Sequence, residues 1–192
     1  MKEEKAGRDL SKKHILDSAL KVIGEEGIAS LTHRSVAKKA NVAHSTVSYY
    51  FRTVDDILVN SFISMMDDLE SRAEEIGLAI VEKKGKLTAK ELFEIGARQA
   101  KEHYDSGYLL KAKYELILYA ASNTALSRVY AKYADLNAKG LERFLKNMGY
   151  KKIDGRMLAY MLSGYELNAL VDKKVNMSDI AEFALELTKK YK

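Results

Sequence analysis

An all-α fold is predicted for this chain, and three observations carry the prediction. Proline is absent from all 192 residues, where ordinary usage of about 5% would supply about ten. Long helices therefore meet no residue that breaks their interior. Apolar residues recur at three- and four-residue intervals almost throughout, the spacing of one buried helix face, and no segment shows the alternation of a half-buried strand.

Each element follows from local chemistry. Ile15, Leu16, Ala19, Leu20 and Ile23 form the stripe of a first helix that should end near Gly24–Gly27. Thr32 is a suitable N-cap for a short second helix with Val36, Ala37 and Ala40 inward. Asn41, which tolerates a left-handed backbone, takes the turn. A third short helix is expected over His44 to Tyr50, with Val47 and Phe51 as its apolar contacts. Thr53 and Asp56 make a capping box for a long fourth helix striped by Ile57, Leu58, Phe62, Met65, Leu69, Ala73 and Ile76, ending near Gly85. A second box, Thr88 with Glu91, opens a helix to about Tyr104, and Gly107 separates it from one over 108–121. The next helix, from Thr124 to Met148, should turn Leu126, Val129, Tyr133, Leu136, Leu141, Phe144 and Met148 to one face, with Gly149 ending it. Asp154 and Ser178 are expected to cap the last two helices, to about Val171 and Tyr191.

Composition narrows the function classes. A hydrophobic content of 47% and a charged content of 31% are those of a globular protein. With no cysteine there is no disulfide, thiol nucleophile or Cys-based zinc site. The N-terminus lacks an apolar signal core, and no run approaches the ~20 residues of a membrane span; a cytoplasmic protein that does not engage a membrane is expected. The net charge of +5 is unevenly spread, with ten Lys or Arg against six acids in residues 1–52. A basic head on a near-neutral body suggests a polyanionic partner for the head.

The sharpest feature is a window of 28 residues, Gly27 to Val54, without a single Asp or Glu in a chain that has 27 of them. Lys and Arg draw a protein to nucleic acid by neutralising phosphates, and nearby carboxylates oppose this. The same window holds two short helices joined by a three-residue turn, the proportions of a helix–turn–helix at about 31–51. In such a motif the second helix enters the major groove of double-stranded DNA, and its early residues meet base edges. Here those are His44, Ser45, Thr46 and Ser48. Tyr49 and Tyr50 can reach phosphates through their hydroxyls, as can Thr32 at the start of the second helix. His33, Arg34 and Lys39 complete the candidate DNA-binding set, with Lys38 and Arg52 adding charge.

From Ile15 to Leu58 the residues resemble the DNA-binding domain of TetR-family transcriptional regulators. The likeness rests on Ile15, Ala19, Leu20, Gly27, Thr32, Val36, Ala37, Ala40, Val42, Thr46, Val47, Tyr50, Phe51, Asp55 and Leu58. The chain departs from the family pattern at Asn41 and Ser45, where Gly is frequent, at Ser48, where Tyr is usual, and at Val54, which replaces a Lys that touches phosphate. The resemblance implies a three-helix head over 1–52, followed over 53–192 by a larger helical domain for effector binding and dimerisation. It also implies a repressor that binds a palindromic operator as a homodimer and is released by a small, mainly apolar effector.

One helix–turn–helix reads few base pairs, so the motif works in pairs about 34 Å apart. By the resemblance, the last two helices supply the dimer face, and Leu158, Met161, Tyr165, Ala169, Ile180, Phe183 and Leu187 are its candidates. Ten of the twelve tyrosines lie after residue 100, and buried Tyr suits a pocket with few polar anchors. By the same resemblance, the effector candidates are Met66, Phe93, His103, Tyr104, Tyr108, Glu115, Tyr119 and Tyr133, with Glu115 either a polar anchor or a partner for Lys111 one helical turn away. No phosphate loop, zinc-helix motif or serine elbow is present, and the four histidines lie far apart in the sequence; no enzyme, metal site or cofactor is expected. Two other readings stay open: a helical small-molecule carrier with a vestigial head, and an effector-independent DNA-binding protein.

Overall fold

The computed structural model describes residues 2–82, 88, 90–91, 94–96, 98, 101, 107–147, 154–172, 174–176 and 179–189. All regular structure among them is helical. In chain order the longer helices are α1 (Lys2–Glu26), α2 (His33–Ala40), α3 (His44–Tyr50), α4 (Val54–Glu82), α5 (Tyr108–Ala120), α6 (Thr124–Asn147), α7 (Gly155–Val171) and α8 (Ile180–Lys189). A single 3-10 turn, Ile28–Ser30, joins α1 to α2. The expected ends near Gly85, Tyr104 and Gly149 and the cap at Ser178 lie outside the described residues, as does Met148. No helix among the described residues is long and apolar enough to cross a membrane.

The chain forms two compact units. One comprises residues 1–67 and 106–130, the other 68–105 and 131–192. The head expected over 1–52 thus lies within a unit that also contains α5 and the start of both α4 and α6. Its core joins Ile15, Leu20 and Ile23 of α1, Val36 of α2, Val47 of α3, Ile57, Phe62 and Met65 of α4, Leu116 of α5 and Leu126 of α6. Phe51, just past α3, is buried among them.

Helix ends are set as the capping residues require. The Thr32 Oγ1 accepts from the Ser35 amide at 3.0 Å, and the Ser35 Oγ accepts from the Thr32 amide at 2.9 Å. Asn41 takes the left-handed turn at φ 54°. At the start of α4 the Asp56 carboxylate accepts from the Thr53 and Arg52 amides at 2.9 and 3.1 Å, while the Thr53 Oγ1 accepts from the Asp56 amide. The box at Thr88 and Glu91 forms in the same way, with the Thr88 amide donating to Glu91 at 2.7 Å.

Hydrogen bonds from the Thr53 amide and hydroxyl hold the Asp56 carboxyl below the usual carboxylate range. A depressed folded value means that the stabilisation is complete above the unfolded value, near pH 4, and is lost as pH falls through the folded value. The melting-temperature gap between wild type and Asp56→Ala should therefore be constant from about pH 7 to pH 5 and shrink from about pH 4 downwards. A gap that widens in acid would contradict this assignment.

In the second unit Leu145 of α6 and Leu158 of α7 form a small core against Leu141, Phe144, Met157, Leu162 and Leu187. Gly155 lets the start of α7 sit directly on the α6 backbone, since a Cβ there would lie 2.6 Å from the Glu142 amide nitrogen. Leu136, expected on the inner face of α6, is instead partly exposed, and Ala138 and Leu145 are buried.

Candidate nucleic-acid interface

The acid-free window becomes one side of the first unit. Val36, Ala37 and Ala40 of α2 and Val47 of α3 turn inward, which leaves the opposite sides of both helices to solvent. On α3 the exposed residues are His44, Ser45, Ser48 and Tyr49, and these share one face because they recur at three- and four-residue spacing. Tyr49 is 72% exposed and meets Tyr50 edge-on at 5.2 Å between ring centroids. Thr46 is half-buried at the border of that face, and Tyr50 packs partly against the core. The exposed face of α3 offers short hydroxyl and imidazole groups with no carboxylate, a surface that can approach base edges closely.

Arg34 and Lys38 of α2 are exposed, as are Arg52 and Thr32. Lys39 is not available in the same way. Its ammonium sits 2.7 Å from Glu25 and 3.2 Å from Glu26, both at the end of α1. Hydrogen bonds to those carboxylates raise its pKa, so it stays charged but is already neutralised. Lys39 thus ties α2 to α1.

His33 is also reassigned. Its Nε2 lies 2.9 Å from the Phe51 carbonyl, the last of the recognition segment, and must carry the proton to donate there. The ring is half-buried and stands 6.1 Å from that of His44. His33 thus fixes the far end of α3 to the near end of α2. His14 does the equivalent for the turn, with its Nε2 2.8 Å from the Ala40 carbonyl at the C-terminus of α2. Two histidines therefore hold the motif's angles rather than its partner.

The effector candidates divide between the units. Met66, Tyr108 and Tyr119 pack half-buried against the core of the first, and Tyr133 is buried in the second. Phe93, His103 and Tyr104 lie outside the described residues. Glu115 is not an open polar anchor, because its Oε2 accepts from the Ile28 amide at 2.6 Å.

The dimer candidates divide between buried and half-buried positions. Leu158 is only 1% exposed, Ile180 is buried, and Leu187 packs on the Leu145–Leu158 core, so these belong to the second unit's interior. Tyr165 donates to the Asn176 carbonyl at 2.8 Å and its ring lies 4.9 Å from that of Phe183. Met161 and Ala169 are half-buried. The apolar surface of α7 is instead its other side, where Tyr160 is 60%, Leu167 45% and Val171 81% exposed. Both sides of α7 are apolar in sequence, and helical spacing does not say which one faces the fold.

Comparison with known proteins agrees with this geometry. Residues 15–59 match the family described as bacterial regulatory proteins, tetR family. The fatty acid metabolism regulator protein of Bacillus subtilis is 38% identical over 77 residues, which cover 40% of this chain and 37% of that protein. Among solved structures, a member of the TetR family from Streptomyces coelicolor A3 (SCO1917) superposes with a TM-score of 0.69 at 26% identity, covering 92% of this chain and 97% of the other. The multidrug binding protein EbrR complexed with ethidium does so with a TM-score of 0.62 at 26% identity, again covering 92% and 97%. Residues 15–59, which hold the helix–turn–helix of 33–50, match the tetR family of bacterial regulatory proteins, and over 92% of its length the chain is similar to a solved member of the TetR family.

Proposed function

We propose that the protein is a repressor that binds a palindromic operator as a homodimer and releases it on binding a small, mainly apolar molecule. The observation that carries the DNA-binding part is the exposed, carboxylate-free face of α3 formed by His44, Ser45, Ser48 and Tyr49. Arg34, Lys38 and Arg52 supply attraction without sequence preference, and the α3 face supplies choice. Tyr49, exposed on α3, is the proposed hydroxyl contact to phosphate, and Thr32 is proposed to act there as the cap of α2.

Dimerisation is assigned to the outer side of α7, because the exposed apolar residues Tyr160, Leu167 and Val171 recur there at seven- and four-residue spacing. An effector of mainly apolar character is favoured by the half-buried Met66, Tyr108 and Tyr119 of the first unit. It is favoured too by the ethidium complex of the EbrR relative.

The test is selection of bound fragments from the source genome, followed by gel shifts on the selected site. His44→Ala with Ser48→Ala should fold normally and lose about a hundredfold in affinity for the site, while binding to unrelated DNA stays within about twofold. Equal losses on both DNAs, or none on either, would remove α3 as the reader.

A further inference from the structure

Helix α5 grips the DNA-binding motif at two points. At the first, Gly24 of α1 lies against the Tyr108 backbone, where a Cβ would sit 2.7 and 2.9 Å from the carbonyl carbon and Cα of Tyr108. Only a glycine admits so close an approach of two helices. The Lys21 ammonium then covers the Tyr108 ring at 5.9 Å. At the second, two helical turns along α5, Glu115 accepts from the Ile28 amide.

That second contact solves a local problem. Ile28 opens the 3-10 turn, and its amide is one of the donors a helix start leaves without an internal partner. The preceding residue, Gly27, has no side chain to cap it, and its φ of 87° is accessible to few residues other than glycine. Glu115 supplies the cap from 87 residues away. A carboxylate on an amide at 2.6 Å is a charge-assisted hydrogen bond, stronger than a neutral one.

From Ile28 the connection continues into the reader. The Ile28 carbonyl accepts from Leu31 at 3.1 Å, closing the turn. The Ser30 carbonyl accepts from the Ser35 hydroxyl at 2.8 Å, and that hydroxyl also accepts from the amide of Thr32, the cap of α2. The next residue, His33, donates to the Phe51 carbonyl at the end of α3. The links are backbone groups, the Glu115 carboxylate, the Ser35 hydroxyl and the His33 ring.

We infer that Glu115 is a positioning residue for DNA recognition: by capping the turn before α2 it sets the seat of the helix–turn–helix on α5. This inference rests on the DNA-binding reading above. It also gives Glu115 a function that needs no effector in contact with it.

The experiment compares wild type, Glu115→Ala and Glu115→Gln in the full chain. Three readouts are taken: the Ile28 amide proton shift and exchange rate by NMR, affinity for the selected operator, and the salt dependence of that affinity. Glu115→Ala should move the Ile28 amide upfield, speed its exchange and weaken operator binding about tenfold. The salt slope should not change, since no phosphate contact is removed. Glu115→Gln keeps an acceptor oxygen and should restore affinity to within about twofold of wild type, with the Ile28 amide protected but shifted upfield by loss of the charge.

An unchanged Ile28 shift in either variant overturns the inference, as does wild-type operator affinity in Glu115→Ala. If Glu115→Ala does not fold, the Ile28 shift and operator affinity of Glu115→Gln decide. Wild-type protein that selects no DNA overturns the DNA-binding reading itself. Wild-type binding that is indifferent to residue 115 overturns this inference alone.

Discussion

Phe51→Ala is expected to destabilise the first unit by about 4 kcal/mol and to abolish DNA binding with it. The ring is 1% exposed at the junction where α3 gives way to α4. It packs in the core that α1, α2, α3 and α4 share, with the Lys12 ammonium 5.8 Å from its centroid. Its backbone is committed as well, with the amide donating to the Val47 carbonyl at 2.9 Å and the carbonyl held by His33. Truncation leaves a cavity that none of these helices can close without moving α3. Phe51→Leu, which keeps most of the volume, should cost about 1.5 kcal/mol or less and retain operator binding. Urea unfolding followed by circular dichroism measures both. A loss below about 1.5 kcal/mol for the alanine variant would mean that Phe51 does not lock the motif.

Leu167→Glu is expected to turn the dimer into a monomer that still folds, and to weaken operator binding by about a hundredfold or more. The residue is exposed between Tyr160 and Val171 on the outer side of α7, so a carboxylate there costs the unit itself little. Buried between two copies, the same charge would stand without a partner. Leu158→Glu should behave differently, because that side chain lies in the second unit's core against Leu145 and Leu162; it should unfold the unit rather than separate folded copies. Light scattering at micromolar concentration together with circular dichroism separates the two outcomes. A Leu167→Glu protein that remains dimeric would move the interface elsewhere.

The contrast between those two leucines shows where sequence reading reached its limit. Helical spacing marked α7 as a helix and found its cap at Asp154, whose Oδ1 accepts from the Arg156 amide at 2.6 Å. It did not choose between two apolar sides, because Leu158 and Leu167 are chemically alike and only the position of α6 distinguishes them. The pairing of Lys39 is hidden from the sequence for the same reason. It reads as one more cation in an acid-free window, yet Glu25 and Glu26 lie just outside that window and come to it in space. Glu115 was picked out in the sequence as a polar group among apolar neighbours, which was a true signal of a partner. The partner proved to be a backbone amide in the head, and no spacing rule connects positions 115 and 28.

The all-helical class, the caps at Thr32, Thr53, Thr88 and Asp154, the left-handed turn at Asn41 and the position of the helix–turn–helix were legible along the chain. These depend on residues within one or two helical turns of each other, where side-chain chemistry and backbone geometry act directly. Folding settles instead which cation of the window is ion-paired, which histidines hold the motif together, which apolar residues of α7 stay exposed, and that α5 caps the turn before α2. Each of those is a pairing between distant parts of the chain. The same side chain serves as reader, strut or core according to what the fold brings against it.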